Sequence, residues 1–270
     1  MIEFYKNLLE SKENMTSSFG WISEEQFEYI KQNFQDLECN LNTFISYSTK
    51  DKKIAAMIKD ALSNLGISSF LAHEDISPSK EWQTEIVNEL KSCNIFVPLI
   101  TDNFKQSEWT DQESGAAFIK GADIIPLSVS LDGKLFITPY GFLSKYQALK
   151  YTIDPTVLND FPLRITRELQ SKLVDALKTK SNIVEMVRNC YVNSIVNSKS
   201  FADSNNKYQS LDQLKPFNRT QMRMLVFGYV LNNQLKSTYK AGPHLRTFIE
   251  SNVTDLDEIS KSIFENGKND

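Results

Sequence analysis

Histidine is nearly missing from this 270-residue chain: His73 and His244 are the two present, and neither lies in a CxxC or HxxxH setting, so an ordinary zinc site is excluded. The nine glycines are scattered, and no GxGxxG or GxxxxGK[ST] occurs, which removes a Rossmann dinucleotide cradle and a P-loop. Cys39, Cys93 and Cys190 are odd in number and far apart, a pattern that suits free thiols in a reducing cytosol better than a disulfide framework. The longest conspicuous apolar run, Ile95–Ile100, contains Pro98 and falls far short of the ~20 residues that span a bilayer. The opening Met-Ile-Glu-Phe-Tyr-Lys has no basic stretch followed by an apolar core, so no secretory signal is expected and a cytoplasmic location is. Arginine is absent before Arg164. Residues 1–160 therefore meet any phosphate with lysines and backbone amides, which bind as point charges and dipoles rather than as a planar fork.

What is present reads as globular, with 41% hydrophobic and 24% charged residues, close to the average for folded domains. The net charge of −4 hides a gradient: −5 over residues 1–40, −4 over 41–160 and +5 over 161–270. The first forty residues predict a helical arm. Phe4, Leu8 and Leu9 share one helix face, and Ser23-x-x-Gln26 opens a second helix carrying Phe27, Ile30 and Phe34.

From residue 43 the period changes. Residues 43–47 form a β-prone run, and 51–65 carry Ile54, Ile58, Ala61, Leu62 and Leu65 on one helical face. Gly66 stops that helix, and 67–71 form the next strand. Strand, helix and strand over about 30 residues make a βαβ unit with a parallel, right-handed crossover. The alternation continues through a helix marked by Trp82, Ile86, Leu90 and Cys93, a strand over 95–100, a helix over 113–120, a strand over 124–129, an apolar piece over 146–153 and a helix over 162–178. Five strands alternating with helices predict an open, flavodoxin-like α/β parallel sheet. Pro98 and Pro126 oppose part of this, because proline cannot donate to a ladder. After residue 180 the pattern is helical, with stripes at Ile183, Val187, Tyr191 and Ile195, at Met222, Leu225, Val226 and Tyr229, and at Leu256, Ile259 and Ile263 behind a Thr254-x-x-Asp257 cap. The Ser- and Asn-rich stretch 197–207 reads as a loop. The predicted organisation is a helical N-terminal arm over 1–40, the α/β domain over 41–160 and a helical C-terminal region over 161–270.

Ligands of open parallel sheets bind outside the carboxyl ends of the strands, which directs attention to the loops 46–50, 72–80 and 101–111. Phe44-Ile-Ser-Tyr47 followed by Asp51, then Glu74-Asp-Ile-x-Pro-Ser79 leading to Trp82, then Ser107-x-Trp109-x-x-x-Glu113, resemble in this order the three motifs of a Toll/interleukin-1 receptor (TIR) domain over about residues 41–160. Pro139-Tyr-Gly-Phe142 resembles the bacterial branch of that family. The resemblance implies one of two activities. Many TIR domains are assembly modules; others cleave NAD+ at the nicotinamide–ribose bond, or cyclise the ADP-ribose product, with a glutamate four residues after a tryptophan. In the enzymatic case it implies Glu113 as the catalytic residue, with Ser46, Tyr47, Asp75, Trp82 and Trp109 around NAD+ as substrate, no separate cofactor and no metal. It further implies a homo-oligomer formed through head-to-tail TIR–TIR contacts, a downstream effector that responds to an ADP-ribose product, and a role in bacterial antiviral defence. The alternative is a non-enzymatic scaffold for TIR–TIR assembly.

One carboxylate suffices chemically. An ordinary glycosidase needs a second to protonate a poor leaving group, whereas nicotinamide leaves a cation as a neutral molecule. Each candidate also has a plain structural reading. Thr110-x-x-Glu113 is a capping box, in which Glu113 would reach back to main-chain amides. Trp82 and Trp109 suit a core as well as a ligand wall, and Asp75 suits a turn before Ser77-Pro78. Ser48-Thr49-Lys50 stands where some NAD-cleaving relatives place arginines, so Lys50, Lys52 and Lys53 are left to supply charge there. Arg219 and Arg223, one turn apart, raise a nucleic-acid reading that a mild, interleaved charge disfavours; no membrane partner is expected.

Overall fold

The computed structural model describes residues 9–10, 19–72, 82–131, 133–160 and 162–268, and they fall into two compact units. One unit comprises Asn40–Ser63 and Ile67–Val187; the other comprises Met1–Cys39, Asn64–Gly66 and Arg188–Asp270. Thus the segment after residue 160 divides, its first part belonging with the sheet, and the N-terminal arm belongs with the C-terminal helices rather than standing alone.

The sheet unit is built from β1 (Asn42–Ser46), α2 (Lys52–Asn64), β2 (Ser68–Leu71), α3 (Trp82–Ser92), β3 (Ile95–Ile100), α4 (Glu108–Lys120), β4 (Asp123–Ile124), β5 (Leu127–Leu131), β6 (Leu149–Ile153), α5 (Pro155–Asp160) and α6 (Pro162–Leu177); α1 (Glu24–Asn33) belongs to the other unit. The strand order is β2-β1-β3-β5-β6, with β4 beside β3, and every pairing is parallel. This is the flavodoxin-like arrangement expected. All six residues of β3 are buried, as a central parallel strand covered on both faces requires. Register aligns Phe44 with Phe70 on one side and Phe96 on the other, so three rings line up across β2, β1 and β3 at centroid distances of 5.4 and 5.8 Å. On the same face, Ile86, Leu90, Cys93 and Ala117 complete the core under α3 and α4.

The expected fourth strand is in fact two short ones, interrupted at Ile125-Pro126. The prolines explain the break. The Phe96 carbonyl accepts from Ile125 N, so Pro98, two residues on, turns its missing donor toward the same gap. β3 pairs with β4 through Ile95 and Phe96 and with β5 through Leu99 and Ile100, which leaves Pro98 between the two ladders.

The helical unit holds α1 and the Arg188-onward part of α7 (Val184–Val196), then α8 (Phe201–Lys207), α9 (Leu211–Leu214), α10 (Arg219–Leu231), α11 (Asn233–Lys236), α12 (Ala241–Ser251) and α13 (Glu258–Gly267). The capping box read at Ser23 is present, with both reciprocal bonds to Gln26 made, while the Phe4 and Leu8 positions lie outside the described residues. Residues 201–207 are helical, not a loop: Ser200 caps them by accepting from Asp203 N, and Lys207 pairs with Asp203 one turn back. Asp257 rather than Thr254 caps α13.

Two of the three cysteines are not free thiols. Cys39 and Cys190 form a disulfide with Cα atoms 5.0 Å apart, although 151 residues separate them in sequence. Gly66 sits against this region with φ of +74°, and a Cβ there would meet the Cys190 carbonyl oxygen at 2.3 Å, so the helix stop is also a close approach of backbones. Cys93 is free and buried. Among the described residues no helix is long and apolar enough to cross a membrane, and no group of three or more His, Cys, Asp or Glu is placed to hold a metal ion.

Candidate active site

Ser46 is the last residue of β1 and lies on the same sheet face as Phe44, because alternate strand residues point the same way. Its hydroxyl donates to Glu113 Oε2 at 2.5 Å, across the carboxyl end of the parallel sheet. Glu113 arrives from α4, on the stripe that also carries Thr110, Ser114 and Ala117, all buried. A core-facing helix stripe is normally apolar; this one is mainly polar for its first two turns.

The capping-box reading of Glu113 is excluded by the helix start. α4 begins at Glu108 with Ser107 as N-cap, five residues earlier than periodicity predicted, so Glu113 stands in its second turn. The Thr110 hydroxyl lies 2.9 Å from the carbonyls of both Phe104 and Ser107, and the Ser114 hydroxyl donates to the Thr110 carbonyl at 2.6 Å. Among the described residues Glu113 accepts from no main-chain amide, and its Oε1 is buried without a hydrogen-bond partner. Only 2% of the residue is exposed. Burial pushes the carboxyl up to about 7, with the Ser46 hydrogen bond opposing that rise.

The loops around this carboxylate are tied together by a residue whose bonding role is not legible in the motifs. Asp51, buried just after β1, accepts from Thr101 Oγ1 at 2.6 Å and Asn103 Nδ2 at 2.9 Å, joining the loop after β1 to the loop after β3. Lys50 adds a bond to Gln106 Oε1 at 3.1 Å. On the far side of α4, the Tyr140 hydroxyl donates to Asp111 Oδ1 at 2.8 Å, and Phe142 packs against Phe118 with centroids 5.0 Å apart. Burial first, then the Asp111 bond and charge, raise the Tyr140 hydroxyl well above its ordinary range, so it stays a donor.

The structure thus brings Ser46 and Glu113 into contact. Tyr47 is buried immediately beyond β1, and Trp109 is half-buried one helical turn before Glu113. Asp75 lies outside the described residues, as does the rest of 73–81; Trp82 opens α3, but its side chain is not among those described. Arg223 does not face outward for phosphates: it donates to Asn33 Oδ1 at 2.7 Å and Asp257 Oδ2 at 3.3 Å within the helical unit.

A flavodoxin-like sheet with a buried carboxylate and hydroxyl at its carboxyl end defines an α/β domain with a polar centre at the usual ligand position. Its family follows from comparison. A family model described as the TIR domain matches residues 43–161, and this segment of the chain is a TIR domain. Among solved structures, the chain is similar to the TIR domain of the Toll-related receptor TRR-2 from the lower metazoan Hydra magnipapillata, at 19% identity, over 47% of this chain and 97% of that one, with a TM-score of 0.34. No curated protein matches it.

Proposed function

We propose that the TIR segment cleaves NAD+ at its nicotinamide–ribose bond, as a glycohydrolase or an ADP-ribose cyclase, with Glu113 as the catalytic carboxylate. The observation that carries the reading is the state of Glu113: buried, held among the described residues by Ser46 alone, with one oxygen unpartnered there and its pKa raised to about 7. A carboxylate placed for stability would have its charge met by a cation or by amides; this one is left to be met by a substrate. NAD+ supplies the missing positive charge. As the C1′–N bond breaks, both electrons pass to the pyridinium nitrogen, nicotinamide leaves neutral, and the positive charge moves onto the ribose beside the carboxylate. Water or an acceptor hydroxyl then adds at C1′ and gives its proton to Glu113 or to solvent.

In this reading Ser46 orients the carboxylate, Tyr47, Trp82 and Trp109 wall the nicotinamide ribose, and Asp75 contacts substrate from the loop after β2. NAD+ is substrate rather than cofactor, and TIR–TIR assembly in the cytoplasm, with an effector that responds to the product in antiviral defence, completes the proposal. Incubation of purified protein with NAD+ and chromatography of the products tests it: nicotinamide should appear with ADP-ribose or its cyclic form, and Glu113→Gln should lower the rate by about 10²–10³. Turnover that rises more steeply than protein concentration supports assembly. Absence of turnover at every concentration, in a protein that still self-associates, would leave the scaffold reading instead.

A further inference from the structure

The helical unit carries a second polar site. Between α11, α12 and the end of α13 lies a cavity of about 360 Å³, lined by Tyr229, Lys236, Ser237, Arg246 and Lys268 among others. Three cations converge there from three different helical segments, and no carboxylate lines it. Three other cavities mix signs: Asp175 with Lys180, Asp212 with Lys215, and Lys59 with Glu85 and Glu89. The +5 balance of residues 161–270 thus has a local focus.

We infer that this cavity is a binding site for a phosphate-bearing small molecule, separate from the carboxylate centre of the TIR segment. Arg246 offers the planar fork that matches a phosphate, and Lys236 and Lys268 add point charges. Arg246 and Lys268 each have a carboxylate on their own helix or its end, Glu250 at 3.1 Å and Glu265 at 2.5 Å, and both carboxylates are more than 40% exposed. Exposed pairs of this kind are weak and exchange readily for a doubly charged ligand. Ser237 and the buried Tyr229 add hydroxyl-bearing side chains to the lining, and Tyr229 lies within reach of both the Arg246 and the Glu250 charges. The cavity volume lies at the small end of ligand pockets, which fits a phosphomonoester or a nucleotide and not a macromolecular chain.

Calorimetric titration of the full chain with inorganic phosphate and with adenosine diphosphate, using acetate as a singly charged control, tests the assignment. Saturable binding of phosphate is expected, weakening as salt rises. Equal affinity for the two probes would mean that the phosphate group alone is read, and tighter binding of the nucleotide would mean that its base is read as well; both support the site. Lys236→Ala with Arg246→Ala should weaken binding roughly tenfold to hundredfold; the single, half-exposed Arg246→Gln serves if the pair disturbs folding. Lack of saturation by either probe, or binding that is unchanged in these variants and therefore resides elsewhere, overturns the inference.

Discussion

Three polar side chains that hold the helical unit together and Glu113 of the TIR unit are treated in opposite ways. In the helical unit, Arg223 is met by Asn33 and Asp257 and lies over the Tyr29 ring at 5.4 Å. Lys207 donates to Asp203 at 2.8 Å and to the Ser194 carbonyl at 3.0 Å. The Asn232 amide reaches the carbonyls of Val196 and Ser198. Each of these side chains holds helices together, and its desolvation is offset by its partners. In the TIR unit Glu113 has, among the described residues, one hydroxyl for two oxygens and no cation beside it. The comparison separates groups that contribute to stability from a group that detracts from it, and the second kind is where chemistry is expected.

Substitutions on the two sides should therefore move activity and stability in opposite directions. The largest expected effect is the loss of about 10²–10³ in NAD+ cleavage for Glu113→Gln, with the fold intact by circular dichroism. The same variant should be more stable than the native chain in alkaline buffer. Folded Glu113 titrates near 7 and its ordinary value is 4.5, so the folded chain retains an extra proton between those limits. Its stability contribution is best below 4.5 and declines as pH rises, reaching a cost on the order of 3 kcal/mol above 7. Urea melts at pH 8 and pH 5 should show the advantage of the glutamine at the higher pH and its disappearance at the lower. Asp257→Ala removes both the α13 cap and the Arg223 partner, and should cost about 1–3 kcal/mol in a urea melt while leaving the rate per folded molecule unchanged.

Two smaller effects sharpen the contrast. The proposed mechanism uses ionised Glu113, so kcat/KM should rise with pH about a midpoint near 7 and level off above it. Ser46→Ala removes the hydrogen bond that favours the carboxylate, so that midpoint should move upward, visible in the pH–rate profile as lost activity at neutral pH and partial recovery at higher pH.

The fold was legible where burial leaves a continuous mark. β3 appears in sequence with its bounds, because a central parallel strand buried on both faces is an unbroken apolar run. The stripe on α2 and the capping box at Ser23 are likewise local signals, complete within a few residues. What failed was non-local or lay on the site. The start of α4 is hidden because its buried stripe bears Thr110, Glu113 and Ser114 in place of aliphatic residues, so helical periodicity in hydrophobicity is lost just at the candidate site. Motif order singled out Glu113 as a candidate; its hydrogen bond to Ser46 depends on a contact across 67 residues. The tie from Asp51 to Thr101 and Asn103 and the pairing of Cys39 with Cys190 depend on tertiary folding in the same way.

The disulfide has a topological consequence. It joins a residue just before the first segment of the TIR-bearing unit, Asn40–Ser63, to one just after its second, Ile67–Val187. In sequence, both segments of the sheet unit lie as a cassette within the loop of chain, residues 40–189, that this bond closes. A proteolytic nick anywhere within the cassette would leave leader and tail connected by that bond until a reductant released them.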